Sequence, residues 1–132
     1  MDERLKQQLE FVLEIDKEKM IGRQTYLSDA VRKENDAEHA WHMTIMAYLL
    51  KEYANEPIDI AKVMMMCLLH DVVEIDAGDT YAYDEVGKQT QQAREAAAKE
   101  RIYSLLPDDQ KQELQALFDE FEARQTPESK FA

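Results

Sequence analysis

The feature that most limits the fold of this chain is the run IAKVMMMCLL at residues 60–69, which is apolar on nearly every side and leads directly into His70 and Asp71. A helix of that kind belongs in the middle of a bundle, where each face meets another element. Asp59, just before it, is suited to cap its first turn. The longest uninterrupted apolar stretch, residues 63–69, is far too short to cross a bilayer. The rest of the composition agrees with a helical surround, because only three glycines and three prolines occur among many Ala, Leu, Glu, Lys, Gln and Met. At 132 residues and 45% hydrophobic content the chain has enough material for one core. The sequence therefore predicts an all-α, single-domain helical bundle of five helices plus the start of a sixth.

The other elements follow from periodicity. Leu5, Leu9, Val12, Leu13 and Ile15 recur at helical spacing and predict an amphipathic first helix over residues 3–20. Periodicity fades over residues 22–36, which read as a polar connecting loop of functional length. A second helix is expected over residues 37–53, with Asp36 as its N-cap and Trp41, Ile45, Tyr48 and Leu49 as its inward stripe. After a low-periodicity stretch at residues 75–85, a long polar helix carries Ala93, Ala97 and Ile102 inward until Pro107 interrupts it. Leu114, Leu117, Phe118 and Phe121 then share one face of a fifth helix. Thr126 and Pro127 open a sixth, as an N-cap followed by a first-turn proline.

Charge narrows the function classes. Twenty-eight acidic against 16 basic side chains give a formal charge of −12, a field that repels polynucleotides and anionic lipid. A small phosphorylated substrate is still compatible, since a bound cation reverses the field inside one pocket. Cys67 is the single cysteine and lies within the apolar run, so a buried free thiol in a reducing compartment is expected. The N-terminal MDERLKQQLE has no apolar signal segment, and a soluble cytoplasmic protein with no membrane partner is the expectation.

The chemistry centres on His70-Asp71. A buried carboxylate without compensation costs on the order of several kcal/mol, and a divalent cation offsets that well. Imidazole and carboxylate are both ordinary ligands for first-row metals. Glu74 lies four residues after His70 and three after Asp71, so a continuing helix puts all three on one face. The competing reading is a helix end at which His70 caps carbonyls and the two acids meet solvent. His39, in ENDAEHAWH on the second helix, supplies a further imidazole from a neighbouring element. His39, His70 and Asp71 then make three ligands of an open site. His42 reads instead as a hydrogen-bonded packing residue beside a core tryptophan.

RKENDAEHAWH, MMMCLLHDVVEIDAGDT and LLPDDQKQELQALFDEFEARQTPESKF, together with IDKEKMIGRQTYL, cover most of the chain and resemble the HD domain, named for its His…His-Asp…Asp metal ligands. Within that family they look like the 5'-deoxynucleotidase branch. The resemblance implies that His39, His70 and Asp71 are metal ligands for a divalent cation among Mn, Co, Fe, Ni, Zn or Mg. It implies that Glu74, Asp79 and Arg23 stand where the family performs catalysis and phosphate handling. Read alone, Arg23 is also an ordinary surface charge, and Asp79 after Gly78 an ordinary turn residue. Family members complete the ligand set with an aspartate a few residues beyond the segment matching TPESKF, and the sequence ends at Ala132, so an HD domain over residues 1–132 that is incomplete at its C-terminus is expected. The implied activity is hydrolysis of a deoxyribonucleoside 5'-monophosphate, and the implied partners are a small nucleotide and a second copy in a homodimer. HD domains acting on signalling or cyclic nucleotides are the alternative substrate reading, and a non-catalytic helical module with a vestigial site is the alternative class.

Overall fold

The computed structural model describes residues 2–26, 32–78 and 85–132, with the side chains of residues 24–26 and 85–89 outside that description. Helix α1 (Glu3–Ile15) starts at Asp2, whose side chain accepts from the Arg4 amide. It tightens into a 3-10 turn over Asp16–Met20, so the expected helix of residues 3–20 is α-helical only in its first part.

The stretch expected as loop contains two short strands, β1 (Gly22–Tyr26) and β2 (Lys33–Asn35), paired antiparallel with Gly22 opposite Asn35. They escaped the periodicity test because their residues are largely polar and carry no apolar alternation. The ladder serves to deliver polar side chains rather than to cover a core.

Helix α2 (Asp36–Leu49) is capped by Asn35, not Asp36. Asn35 Oδ1 accepts from the Glu38 amide at 2.9 Å while Glu38 Oε1 accepts from the Asn35 amide at 2.9 Å, a reciprocal capping box. Asp36 becomes the first helical residue and is fully buried. The inward stripe also differs from the expectation. Trp41, Ile45, Tyr48 and Leu49 are exposed, Trp41 to 65%, whereas Ala40 and Thr44 are buried. Both faces of this helix are apolar enough to satisfy a periodicity test. The face with small side chains wins because it lets α2 lie close along α3.

Helix α3 (Ile60–Leu69) begins as read, with the Asp59 side chain accepting from the Lys62 amide. Val63, Met66 and Cys67 are wholly buried, and Cys67 is a free thiol. Met65 and Leu68 remain exposed on the side facing α1 and α2, so the helix is not enclosed all round. A turn leads to the short helix α4 (Glu74–Ala77), closed by Gly78 at φ 76, a left-handed value that glycine adopts without strain.

Helix α5 (Glu85–Tyr103) turns Ala98, Ile102 and Tyr103 inward, while Ala93 and Ala97 face solvent. Three successive alanines carry no periodic information, which is why Ala93 and Ala97 depart from the expectation while Ile102 meets it. Helix α6 (Asp108–Ala123) buries Phe118 and packs Leu114 and Leu117 on the core, and α7 (Pro127–Phe131) starts from a Thr126–Ser129 capping box. The main core joins Phe11 of α1, Leu69, Val72, Val73 and Ala77 around the α3–α4 turn, Ile102 and Tyr103 of α5, and Phe118 of α6. Tyr103 stands between Phe11 and Phe118, at centroid distances of 6.0 and 6.2 Å. Among the described residues no helix is long and apolar enough to cross a membrane.

Candidate metal centre

The site forms where α3 runs out. His70 is the C-cap of α3, and the chain then turns through Asp71, Val72 and Val73, with the Val72 amide bonded to Leu69 O and the Glu74 amide to Asp71 O. Both valines are 2% exposed and anchored in the core, which fixes the direction of the two residues before them. His70 Nδ1 lies 2.6 Å from the carbonyl oxygen of Cys67, so this nitrogen donates its N–H and Nε2 points to the site. Nε2 is 3.0 Å from Asp71 Oδ2. The His70 ring also packs against Phe121 of α6 at 5.3 Å.

His39, on the first turns of α2, meets His70 edge-on at 5.3 Å. The donor atoms of His39, His70 and Asp71 all lie within 4.8 Å of one another. Arg23 reaches in from β1, with Nη1 3.4 Å from Asp71 Oδ2. These four residues, drawn from three stretches of the sequence, are thus brought together. Asp79 lies outside the described residues. Glu74 is buried at the start of α4, but the helix break at residues 70–73 separates it from the histidine pair. It groups instead with Asp36 and Asp71, three buried carboxylates whose oxygens also lie within 4.8 Å of one another. A continuous helix face shared by His70, Asp71 and Glu74 is therefore replaced by two clusters meeting at Asp71. His42 is exposed and stacks on the exposed Trp41 at 6.2 Å, so neither belongs to the core.

The titration of the three donors is set by burial and by their contacts with one another. Burial lowers the His39 pKa below its ordinary value, with Arg23 and His70 adding to the effect, so the ring is held neutral with a lone pair to offer. Burial alone also acts to lower His70, but the bond to Asp71 and the acid's charge outweigh it and leave the pKa raised. For Asp71 the balance is the mirror image: burial acts upward, yet the His70 bond and the nearby cations hold it down. Two imidazole nitrogens and a carboxylate converging from two elements match the donor set of an open site for a divalent first-row metal.

Three acids in or beside the site were not identified as site residues from the sequence. Glu34 contacts both Arg23 and His39. Asp36 is buried in the second cluster. Glu18, in the 3-10 turn, is 7% exposed, with Oε1 buried and lacking a hydrogen-bond partner among the described residues. Burial, then the charges of Asp36 and Asp71, push its pKa to about 7. The only textual signal for these was the density of acids in IDKEK and RKENDAEH, which looks the same as a solvated helix surface.

The comparisons agree with this architecture. The family model of the HD domain matches residues 15–132, and the chain belongs to that family. A crystal structure described as a predicted metal-dependent phosphohydrolase from Magnetospirillum magnetotacticum superposes with a TM-score of 0.89 at 51% identity, over 97% of this chain and 65% of that one. A conserved hypothetical protein from Pyrococcus furiosus shares the fold, with a TM-score of 0.68 at 22% identity over 93% of this chain and 69% of its own. Among curated proteins, the 5'-deoxynucleotidase HDDC2 of Xenopus laevis is 30% identical over 124 residues, 93% of this chain and 60% of that protein. The human protein of the same name is 31% identical over 100 residues, 76% of this chain and 48% of its own length. The chain thus spans about half to three fifths of the length of these curated relatives.

Proposed function

We propose that this chain is a metal-dependent phosphohydrolase of the 5'-deoxynucleotidase type, releasing phosphate from deoxyribonucleoside 5'-monophosphates, with His39, His70 and Asp71 holding the cation. The observation that carries this reading is the convergence of two imidazoles and a carboxylate beside an arginine, within an HD domain whose curated relatives bear that name. A bound divalent ion supplies electrophilic stabilisation of phosphoryl charge and a lowered pKa for water.

The remaining work falls to this chain's own side chains. Arg23, 22% exposed and beside Asp71, can shift its guanidinium onto the phosphoryl oxygens and neutralise charge that develops in an in-line displacement. Glu74 and Asp79 divide two proton tasks: one carboxylate orients the attacking water, and the other protonates the leaving 5'-oxygen. The exposed apolar groove between α1, α2 and α3, about 540 Å³ and lined by Val12, Trp41, Met65 and Leu68, supports a second copy of the chain as partner. Sedimentation equilibrium reads that association directly.

The deciding experiment is a phosphate-release assay with deoxyribonucleoside and ribonucleoside 5'-monophosphates and cyclic nucleotides, each with Mn, Co, Fe, Ni, Zn or Mg. Release from the deoxyribonucleoside monophosphates is expected. A metal-loaded, full-length protein that releases no phosphate from any of them defeats the proposal.

A further inference from the structure

Glu34 sits on β2, directly before the Asn35 cap of α2, and its side chain is 15% exposed. A single oxygen, Oε1, lies 3.0 Å from Arg23 Nε and 3.4 Å from His39 Nδ1. The approach to arginine is an ion pair rather than an aligned hydrogen bond, since that N–H has no acceptor along its own direction among the described residues. The approach to histidine is longer than the usual ~2.9–3.0 Å of an N–H···O bond and is of the kind that tightens when a site is loaded. The backbone explains the convergence: the Asp36 amide bonds to Ile21 O at 3.0 Å and Gly22 pairs with Asn35, so Arg23 and Glu34 occupy neighbouring places across the ladder.

An imidazole can offer a cation only the nitrogen that does not carry its proton, and the partner of the other nitrogen decides which one that is. His70 is set by the Cys67 carbonyl, which accepts from Nδ1. His39 has no such carbonyl among its described contacts, and the acceptor facing its Nδ1 is Glu34. We propose that Glu34 is the positioning residue of the site: its one oxygen faces both the Nδ1–H of His39 and the guanidinium of Arg23, presenting His39 through Nε2 and holding Arg23 beside Asp71. Glu34 touches neither substrate nor cation and acts through these two neighbours. The inference rests on His39 being a ligand.

The test compares wild type, Glu34→Ala and Glu34→Gln in the whole chain. In metal-free protein above neutral pH, ¹⁵N resonances of the imidazoles report the tautomer. Wild-type His39 is expected to carry its proton on Nδ1, and Glu34→Ala to shift it toward Nε2, the form favoured by free imidazole. Glu34→Gln keeps an acceptor oxygen and preserves the wild-type tautomer. With Co²⁺ as probe in chelator competition, Glu34→Ala is expected to bind about 10–100-fold more weakly, the usual effect of removing an outer-shell partner, and Glu34→Gln a few-fold more weakly. A wild-type His39 protonated on Nε2, or a folded Glu34→Ala protein with an unchanged tautomer, overturns the proposal. Should Glu34→Ala fail to fold, Co²⁺ affinity of Glu34→Gln within twofold of wild type overturns it. Wild type that binds no Co²⁺ defeats the ligand reading, while the tautomer still decides the role of Glu34.

Discussion

Replacing Glu18 by glutamine removes a carboxyl that the fold buries beside Asp36 and Asp71, whose charges outweigh that of the nearby His70. Its pKa rises from 4.5 to about 7, first through burial and then through those two acids. Between these values the unfolded chain has released the proton while the folded chain still holds it, so stability falls as pH rises across the window. Above pH 7 the whole penalty is present, and below about 4.5 none of it is. At ~1.36 kcal/mol per pH unit, the rise is worth on the order of 3 kcal/mol. For a domain of this size that corresponds to roughly 10 °C in melting temperature. Urea unfolding of metal-free wild type and Glu18→Gln from pH 5 to 8 measures the effect. The glutamine variant is expected to gain little at pH 5 and about 3 kcal/mol at pH 8. The difference between the two curves is the readout. A difference that stays constant across the range refutes the reasoning, because it leaves a volume or hydrogen-bond effect rather than a displaced proton.

Two further outcomes follow from the site and the core. Co²⁺ at a hundred times its dissociation constant should stabilise the wild-type chain by about 2.7 kcal/mol, read as a rise in melting temperature, and His39→Ala or His70→Ala should abolish that rise at the same concentration. Met66→Ala, at a fully buried position in α3, should cost about 2–5 kcal/mol in urea unfolding, while Leu49→Ser on the exposed face of α2 should stay within about 0.5 kcal/mol of wild type.

The sequence was most informative where one local force dominates. Asp59 and Thr126 were legible as caps because an acceptor side chain before an apolar run has few other uses. His70 and Asp71 stood out as candidates because charge cannot continue a buried apolar run uncompensated, although the end of α3 there did not. Legibility failed where two local forces compete. Asn35 and Asp36 are both good caps, and the choice was made by Glu38, which closes a box only with Asn35. Both flanks of α2 are apolar, and the choice was made by how near α3 can come to Ala40 and Thr44. The role of Glu34 depends on strand register between two polar segments, a long-range fact that no window of residues contains.

Arg23 and His70 both direct nitrogen atoms at the same oxygen of Asp71. A pocket this rich in acids would otherwise repel itself, yet here a positive placeholder comes from the chain's own hairpin. If His39, His70 and Asp71 hold the cation as proposed, this counter-charge lets the chain fold before the ion arrives, in contrast to small zinc modules that stay unfolded until loaded. On the proposed reading, taking up a cation at Asp71 would exchange one counter-charge for another and free the guanidinium of Arg23 for a phosphate.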